Sequence, residues 1–377
     1  MRYRLLVTCL LFTPMIAVAT WAQSAPDPVT IGVLIPEKGE RAPVGRLITQ
    51  AVEMAVEEAN RSGGVGGAPV RLVYEDSGTS ADSAVAATRK LVDDHRVAAI
   101  VGELFSPFVL ASRDVVEQAG VSYLTGGTSP RTTENARWIF RVAASDSVLA
   151  DLIARYAVEQ LKLRKLAVLS SRVGVHNGRA ELLIRVLRER YGIAPAVRET
   201  WKPDDRDFSE QLTKVKADPV DAIIALGETG EAAPFLKQVK TLGIPATVIA
   251  HRDFGARSAL DAAGDAAEGA LIVTEYVPAL MGPDRQACAQ AWERRYGTDA
   301  GIIGAQYHDA VRLLVAAMRA AGTARAEIKA GLEQLRGFRG VMADYTFDAS
   351  HNGVHRFLVA KIRRGQPALE AVLDETR

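Results

Sequence analysis

The 377-residue sequence predicts an α/β protein made of two doubly wound lobes, and three observations support this. Short β-branched runs alternate with amphipathic helices, which is the pattern of parallel sheets covered on both faces. The alternation restarts near residues 141–146, which divides it into two runs. At roughly 150 residues per domain, the length also fits about two domains.

The first run begins with a buried strand at 29–35, followed by a helix at 44–60 whose apolar residues fall on one stripe. Gly63 and Gly64 end this helix. Ser106 is predicted to cap a later helix, with Pro107 in its first turn, where a missing N–H costs nothing. The other predicted elements of this run are a helix at 80–93 and strands at 70–74, 97–101 and 121–125.

The second run alternates four helices with four strands. The helices are predicted at 146–161, 177–191, 208–216 and 231–242, and the strands at 165–170, 196–201, 222–226 and 247–250. Helices dominate 284–336. Two tail segments, 344–347 and 355–362, are predicted to form a hairpin at Asn352-Gly353, because Asn-Gly is a favoured two-residue turn.

Composition and charge exclude several classes of protein. The 46 Lys+Arg residues balance 45 Asp+Glu residues, which argues against a basic nucleic-acid binder or a polybasic membrane-surface protein. An apolar fraction of 48% and a charged fraction of 24% are typical of a globular chain with a full core.

Residues 1–22 have the three parts of a signal peptide. Arg2 and Arg4 precede an apolar run at 5–18, which is short of the roughly 20 residues that span a bilayer. Small residues follow, and cleavage is predicted after Ala22, with Ala25 as the alternative site. Cys9 lies inside the apolar run, which does not favour a lipoprotein. Cys288 then remains alone in the mature chain, so the sequence predicts a periplasmic protein without an internal disulfide.

No motif for catalysis, a cofactor or a metal stands out. The glycine run at 63–67 follows a helix and precedes a strand, which is the reverse of a phosphate-binding loop. There is no Gly-x-Ser-x-Gly elbow and no zinc-ligand spacing. His351 and His355 are predicted on the solvated tail hairpin. The sequence therefore predicts a protein that is not an enzyme and holds no cofactor and no metal.

Two strand-end loops, at 102–107 and 125–130, form the candidate ligand site. Ligands of open α/β sheets gather beyond the carboxyl ends of strands. Backbone N–H groups and the Ser106 hydroxyl at a helix start suit an anion such as a carboxylate. Gly127 permits close approach, and Thr128 offers both a donor and an acceptor. In the alternative interpretation Ser106 is only a helix cap and the glycines only form a turn.

Four stretches resemble the branched-chain amino-acid (Leu/Ile/Val) family of periplasmic solute-binding proteins of ABC transporters. They are residues 32–36 with Gly45 and the helix ending at Asn60, the two loops, 263–270 and 307–314. The resemblance implies the type I periplasmic binding fold, with two Rossmann-like lobes and a three-crossing hinge near 141–146, 269–275 and 334–340. Lobe one would comprise 27–143 plus 272–335, and lobe two 144–271 plus 336–365.

The resemblance also assigns roles in the first lobe. Ser106 and Thr128 would hold the carboxylate and the ammonium of an amino-acid ligand. The backbone near Phe105 and Gly127 would assist.

In the second lobe the resemblance implies a carboxylate that pairs with the ligand's ammonium. That position falls at Arg252 or Asp253, which oppose each other in charge, and Glu228 is a further acidic candidate. Positions that are often aromatic around a branched side chain carry aliphatic residues here, which predicts a roomier pocket; they are Val44, Val175 and Ile303.

The function implied is that of an exported receptor of an ABC importer. It would capture a small carboxylate-bearing solute or an amino acid between the lobes by hinge closure. Its partners would be the ligand and ABC permease subunits, with no nucleic acid, and it would act as a monomer. The alternative is a sensor of the same fold that signals to a partner, and an aromatic carboxylate or a small amide are the alternative ligands.

Overall fold

Two α/β sheets organise residues 26–375, the part of the chain that the computed structural model describes. The predicted signal peptide and its cleavage site lie outside these residues. Each sheet is open, largely parallel and covered by helices on both faces, which confirms the predicted fold class.

The sheet of lobe one contains β1 to β5, at Val29–Ile35, Val70–Asp76, Ala99–Gly102, Ser122–Thr125 and Ile139–Arg141. All five strands are parallel, in the order β2-β1-β3-β4-β5. The connecting helices are α1 to α3, at Ala42–Arg61, Ala81–Arg89 and Ser106–Ala119. The sequence does not predict β5, because three residues carry no periodic signal.

The sheet of lobe two has five parallel strands, β6 to β10, at Leu166–Ser171, Val197–Trp201, Ala222–Leu226, Thr247–His251 and Leu271–Thr274. The helices that cover it are α4 to α8, at Asp146–Arg155, Gly174–Tyr191, Ser209–Ala217, Thr229–Thr241 and Arg257–Ala263. The strand β8 is buried along its whole length, as expected of a strand covered on both faces.

The remaining helices and strands pack partly on lobe one and partly on lobe two. Helices α9 to α11, at Pro283–Tyr296, Gly301–Ala321 and Arg325–Gln334, follow the second sheet, and α10 packs along α1 of lobe one. Short strands β11 and β12, at Phe338–Arg339 and Asp344–Tyr345, pair with each other. Strands β13 and β14, at Arg356–Arg363 and Gln366–Asp374, add an antiparallel edge to lobe two. None of the helices in residues 26–375 is long and apolar enough to cross a membrane.

The predicted tail hairpin at Asn352-Gly353 is wrong. The strand β13 pairs with β10 and β14, and its turn lies at Arg364-Gly365. The 352–353 segment is held by β5 instead, because the Arg141 N–H donates to the His351 carbonyl at 2.9 Å and the Gly353 N–H to the Arg141 carbonyl at 3.0 Å. Contacts to a distant strand thus outweigh the local turn preference.

The same contacts change the surroundings of His351, which is buried rather than solvated. Its imidazole stacks on the Phe140 ring with 4.1 Å between ring centroids. Two lobe limits also differ from the expected ones. The strand β10 lies in the sheet of lobe two although 272–335 is predicted for lobe one, and β14 extends that sheet beyond residue 365.

The parallel parts of the two sheets share one strand order, because β7-β6-β8-β9-β10 repeats β2-β1-β3-β4-β5. In each sheet the order reverses beside the first strand, between β1 and β3 and between β6 and β8. Ligands of open α/β sheets bind in the crevice beyond the carboxyl ends at such a reversal. The loops after β1, β3, β6 and β8 lie at these reversals, and those after β4 and β9 lie beside them at the same edges of the sheets.

Candidate ligand-binding site

The loop after β3 is shaped by a glycine and a buried acid. Gly102 has φ +139°, and a Cβ there would lie 2.1 Å from the Leu34 carbonyl oxygen, so only glycine fits. The buried Glu103 accepts a hydrogen bond from the Phe105 N–H through Oε1 at 3.0 Å. Burial raises the pKa of Glu103. This acid therefore holds the turn into α3 from inside the lobe.

Ser106 does not cap α3, so that prediction is wrong. It is the first helical residue, and Phe105 occupies the cap position without a side-chain bond to the helix. The Ser106 Oγ instead accepts the N–H of Ser129 at 3.1 Å. No acceptor within residues 26–375 takes its hydroxyl hydrogen, which is available to a ligand. The Phe105 ring lies under the Arg41 guanidinium at 4.2 Å, and the role of the Phe105 backbone in ligand binding stays a prediction.

The two predicted loops of lobe one meet at Gly127. Its N–H donates to the Thr125 Oγ1 at 3.1 Å. A Cβ on Gly127 would lie 3.3 Å from the Ser106 Oγ, tighter than most real contacts. The glycine therefore lets the loop after β4 approach the start of α3.

Thr128 is tied to lobe two by a buried ion pair. Its hydroxyl donates to the Asp146 Oδ2 at 3.0 Å. Arg179, from α5, donates through Nε to the Asp146 Oδ1 at 2.6 Å and through Nη2 to the Thr128 Oγ1 at 3.4 Å. The Arg179 and Asp146 side chains are only 5% and 8% exposed. The Thr128 hydroxyl is thus engaged by the protein, whereas that of Ser106 is not.

The strand ends of lobe two bring imidazoles and carboxylates together. The His176 Nε2 lies 2.8 Å from the Glu228 Oε1 and 4.0 Å from the Asp253 Oδ2. The His251 Nε2 lies 3.0 Å from the same Asp253 oxygen. We refer to these residues and the interlobe ion pair as the polar cluster, which comprises Thr128, Asp146, His176, Arg179, Glu228, His251 and Asp253.

His251 stands between a cation and an anion. Its Nε2 is 2.7 Å from the Arg179 Nη1 and 3.0 Å from the Asp253 Oδ2, so it accepts from the first or donates to the second. Burial lowers the pKa of His251 to about 4, so the imidazole is neutral at pH 7. Burial alone would raise the pKa of Asp253, but His251 and Arg252 hold it well below its usual range.

Sequence reasoning missed four members of the polar cluster, namely Asp146, His176, Arg179 and His251. The rule that ligands gather at strand ends would have found His251, which is the last residue of β9. Nothing local singles out Arg179, because its short contacts are made with Asp146 and His251 in other segments of the chain.

Three groups of the cluster, His176, His251 and Asp253, have donor atoms within 4.8 Å of one another, but they fit a metal ion poorly. The Arg179 guanidinium already contacts the His251 Nε2. Metal-bound imidazoles donate their second N–H to an acceptor, and the buried His251 Nδ1 has none among the described residues. The absence of a metal stays a prediction.

Arg252 and Asp253 differ in how their charges are balanced. The Arg252 Nη1 donates to the Glu275 Oε1 at 2.8 Å in a largely buried ion pair. Asp253 contacts imidazoles and is 26% exposed. Of the two residues, Asp253 therefore retains a charge that a ligand can pair with.

A cavity of about 590 Å³ opens beside Asp253, between the lobes. Helix α8 and β10 line it from lobe two, and α1, α9 and the start of α10 from lobe one. Arg252 and Asp253 belong to its wall, but the predicted loops with Ser106 and Gly127 do not. Val175, in the first turn of α5, is 37% exposed and does not line this cavity either.

Comparison with known proteins gives concordant matches. The model of the periplasmic binding protein family matches residues 28–367. An amino acid binding protein of Pseudomonas aeruginosa is 29% identical over 58% of this chain and 59% of its own length. The Leu/Ile/Val-binding protein BraC3 of Rhizobium johnstonii is 28% identical over 82% of this chain and 84% of its own. The branched-chain amino acid transporter substrate binding protein LivJ of Streptococcus pneumoniae, solved with isoleucine, superposes with a TM-score of 0.78 at 25% identity, over 92% and 99% of the two chains.

Proposed function

The chain belongs to the periplasmic binding protein family, and on this premise we propose that it captures an amino acid for an ABC importer. Members of the family are receptors, not enzymes. The observation that carries the proposal is the meeting of polar side chains from both lobes. Thr128 of lobe one contacts Arg179 of lobe two, and Arg179 contacts His251 beside Asp253.

The lobe-one side suits a carboxylate. The free hydroxyl hydrogen of Ser106 and the N-terminus of the 14-residue helix α3 both favour negative charge. The backbone of Phe105 and Gly127 flanks that position. We assign the ligand's carboxylate to this side of the cleft.

The lobe-two side suits an ammonium. Asp253 is ionised and Glu228 is about half exposed, so both offer carboxylate oxygens. Arg252 pairs with Glu275 and also helps to keep Asp253 ionised. A plain carboxylate ligand would bring a second negative charge toward Asp253 without an ammonium between them, which costs free energy. The charges therefore favour a zwitterion over an aromatic acid or an amide.

Ligand binding would close the lobes over the cleft, and permease subunits would recognise the closed form. We further propose signal-peptide cleavage after Ala22 and a monomeric state. The names of the relatives give no support to the signalling alternative.

A thermal-shift screen of the mature protein tests the proposal, with amino acids, aromatic acids and amides as the library. A ligand at 100 times its dissociation constant stabilises the folded state by about 2.7 kcal/mol. We expect hits among the amino acids. A screen in which only acids or amides lacking an ammonium bind would contradict the zwitterion assignment.

The variant Ser106→Ala tests the carboxylate position. It should weaken binding of the hit by about 1.5–3 kcal/mol, because a hydrogen bond to a charged group is lost. The matched control is Ser209→Ala, which alters the first residue of the exposed start of α6. Equal affinities of both variants and the parent protein in calorimetry would refute the assignment of Ser106.

A further inference from the structure

His355 lies between two parts of the chain that pack on different lobes. It directly precedes β13 in the sheet of lobe two. The loop at 346–353 before it lies on β5 of lobe one, where the Thr133 hydroxyl donates to the Asn352 Oδ1 at 3.1 Å in addition to the backbone bonds of Arg141. The His355 side chain is only 15% exposed, so its predicted place on a solvated hairpin is wrong.

Both ring nitrogens of His355 face hydrogen-bond acceptors. The Nε2 lies 2.9 Å from the Thr346 carbonyl oxygen and 3.0 Å from that of Asn352. The Nδ1 lies 2.6 Å from the Oε2 of Glu375, which follows β14. A neutral imidazole has one donor and one acceptor nitrogen, and only the protonated ring donates from both. The geometry therefore fits an imidazolium, because a neutral ring would turn a lone pair toward an acceptor on one side.

The groups that contact the ring also favour its proton. Burial alone would lower the pKa of His355, but the hydrogen bonds to Glu375 and to the Thr346 carbonyl raise it above its ordinary value. The negative charges of Glu375 and Asp348 act in the same direction.

The positive charges near His355 have other partners. Arg336 lines the same surface cavity as His355 and Glu375, but its guanidinium donates to two backbone carbonyls of its own segment. Arg356 pairs with Asp374 at 2.7 Å, and Arg155 donates to the Asp374 carbonyl. His355 is thus the cation that contacts the Glu375 carboxylate.

We propose that His355 is a proton-dependent clamp between the lobes, which holds the 346–353 loop to the end of β14 only while both ring nitrogens carry protons. Loss of one proton leaves a lone pair facing either the loop carbonyls or the Glu375 carboxylate, and that side is released. The Glu375 N–H still donates to the His355 carbonyl at 2.8 Å, so the strand end loosens without detaching. Because the loop lies on β5, after which the chain passes into lobe two, a rise in pH loosens the hinge.

Magnetic resonance of the imidazole nitrogens across a pH titration of the mature protein tests the clamp, with His355→Gln identifying the signal. We expect the pKa of His355 to lie above the ordinary value of about 6.5. Glu375→Gln should lower this pKa, because it removes a charge that favours the imidazolium. The matched control is Glu370→Gln on the same strand, whose partner is Arg363 at 3.2 Å. A parent value at or below about 6.5, or no shift in Glu375→Gln, would overturn the proposal.

Hydrogen exchange measures whether the proton holds the two segments together. The clamp's contribution is present below pH 6.5 and is lost as the pH rises through the raised pKa of the folded state. Protection factors in 346–353 and 370–375 should therefore fall about 10-fold or more over that rise, the loss expected for one hydrogen bond to a charged group. His355→Gln should lack this step, and Glu375→Gln replaces it if that variant does not fold.

The control for exchange is His95→Gln, whose ring contacts Glu75 in lobe one at 3.1 Å and which should keep the step. Equal protection above and below the pKa in the parent protein would overturn the clamp, even with the proton bound as expected. Neither measurement uses a ligand, so failure of the clamp leaves the proposed function unchanged.

Discussion

The two lobes repeat one strand order but place different chemistry in equivalent loops. The loop after β3 presents Ser106, whereas its counterpart after β8 presents Glu228. The loop after β4 carries Thr128, whereas the loop after β9 carries Asp253. Lobe one thus offers hydroxyls and backbone groups, and lobe two carboxylates and imidazoles. A repeated topology fixes where a ligand can bind, and the side chains decide which charge each half receives.

Two side chains of lobe two, Asp146 and Arg179, contact Thr128 of lobe one. Arg179 belongs to lobe two, yet it donates toward Thr128 of lobe one and pairs with Asp146, where α4 begins. These contacts engage the Thr128 hydroxyl. The Ser106 hydroxyl hydrogen has no acceptor among residues 26–375, so Ser106 is the hydroxyl of lobe one that can donate to a ligand. The largest predicted effect comes from breaking these contacts.

Arg179→Met should lower the free energy of unfolding by about 3–5 kcal/mol, because it leaves the Asp146 carboxylate buried without its partner. Urea unfolding measures this loss. The control is Arg190→Met, whose pair with Asp151 is 47% and 32% exposed and is worth about 0–1 kcal/mol. Similar losses in the two variants would show that the interlobe ion pair does not hold the halves together.

The lobe-two half should make the protein sensitive to acid. The pKa of His251 is about 4 in the folded state and near 6.5 when unfolded, so the unfolded state binds more protons between these values. The contribution of His251 to the free energy of unfolding is therefore fully present above pH 6.5. It falls by about 3 kcal/mol as the pH drops to 4. His251→Gln should remove this part of the pH dependence, as measured by urea unfolding across the window. If His251→Gln keeps the full change in unfolding free energy between pH 4 and 6.5, other titratable groups cause the pH dependence.

Asp253→Asn removes one of the negative charges that distinguish lobe two from lobe one. We expect it to weaken binding of an amino acid by about 1.5–3 kcal/mol, because a hydrogen bond to a charged acceptor is lost. Binding of a carboxylate analogue of that amino acid that lacks the ammonium should not weaken. The measurement is calorimetry with both ligands, and Asp261→Asn, at an exposed position of the same cavity rim, is the matched control. Equal weakening of both ligands would remove Asp253 from ammonium recognition.

The smallest effect is expected at Val175. Its side chain is 37% exposed and lies outside the cavity, so Val175→Ala should change ligand affinity by less than about 0.5 kcal/mol. Titration of this variant beside Ile303→Trp compares two positions that the resemblance assigns to one side-chain pocket. Ile303 lines the cavity and Val175 does not. A larger loss at Val175 would extend the site toward the start of α5.

The sequence by itself determined the architecture and the location of the lobe-one loops. Runs of β-branched residues and amphipathic helices predict the alternation that builds both sheets, since burial periodicity is a local property. The loops with Ser106 and Thr128 follow from the same rule, because strand ends can be read from the chain. The role of Ser106 as a cap was wrong, since the N–H of Ser129 that engages its oxygen lies in another loop.

Only the tertiary structure decided what fills the cleft. The polar cluster gathers residues from α4, α5, β9 and three loops, and no spacing along the chain predicts contacts between such distant segments. The same holds for the tail, where β5 holds the segment at Asn352 and prevents the expected turn. Charge balance could not be predicted from the sequence either. Arg252 and Asp253 are neighbours, and packing gives Arg252 the distant partner Glu275, whereas Asp253 lies beside His251. Local pattern fixes elements, whereas long-range contacts fix which charges remain for a ligand.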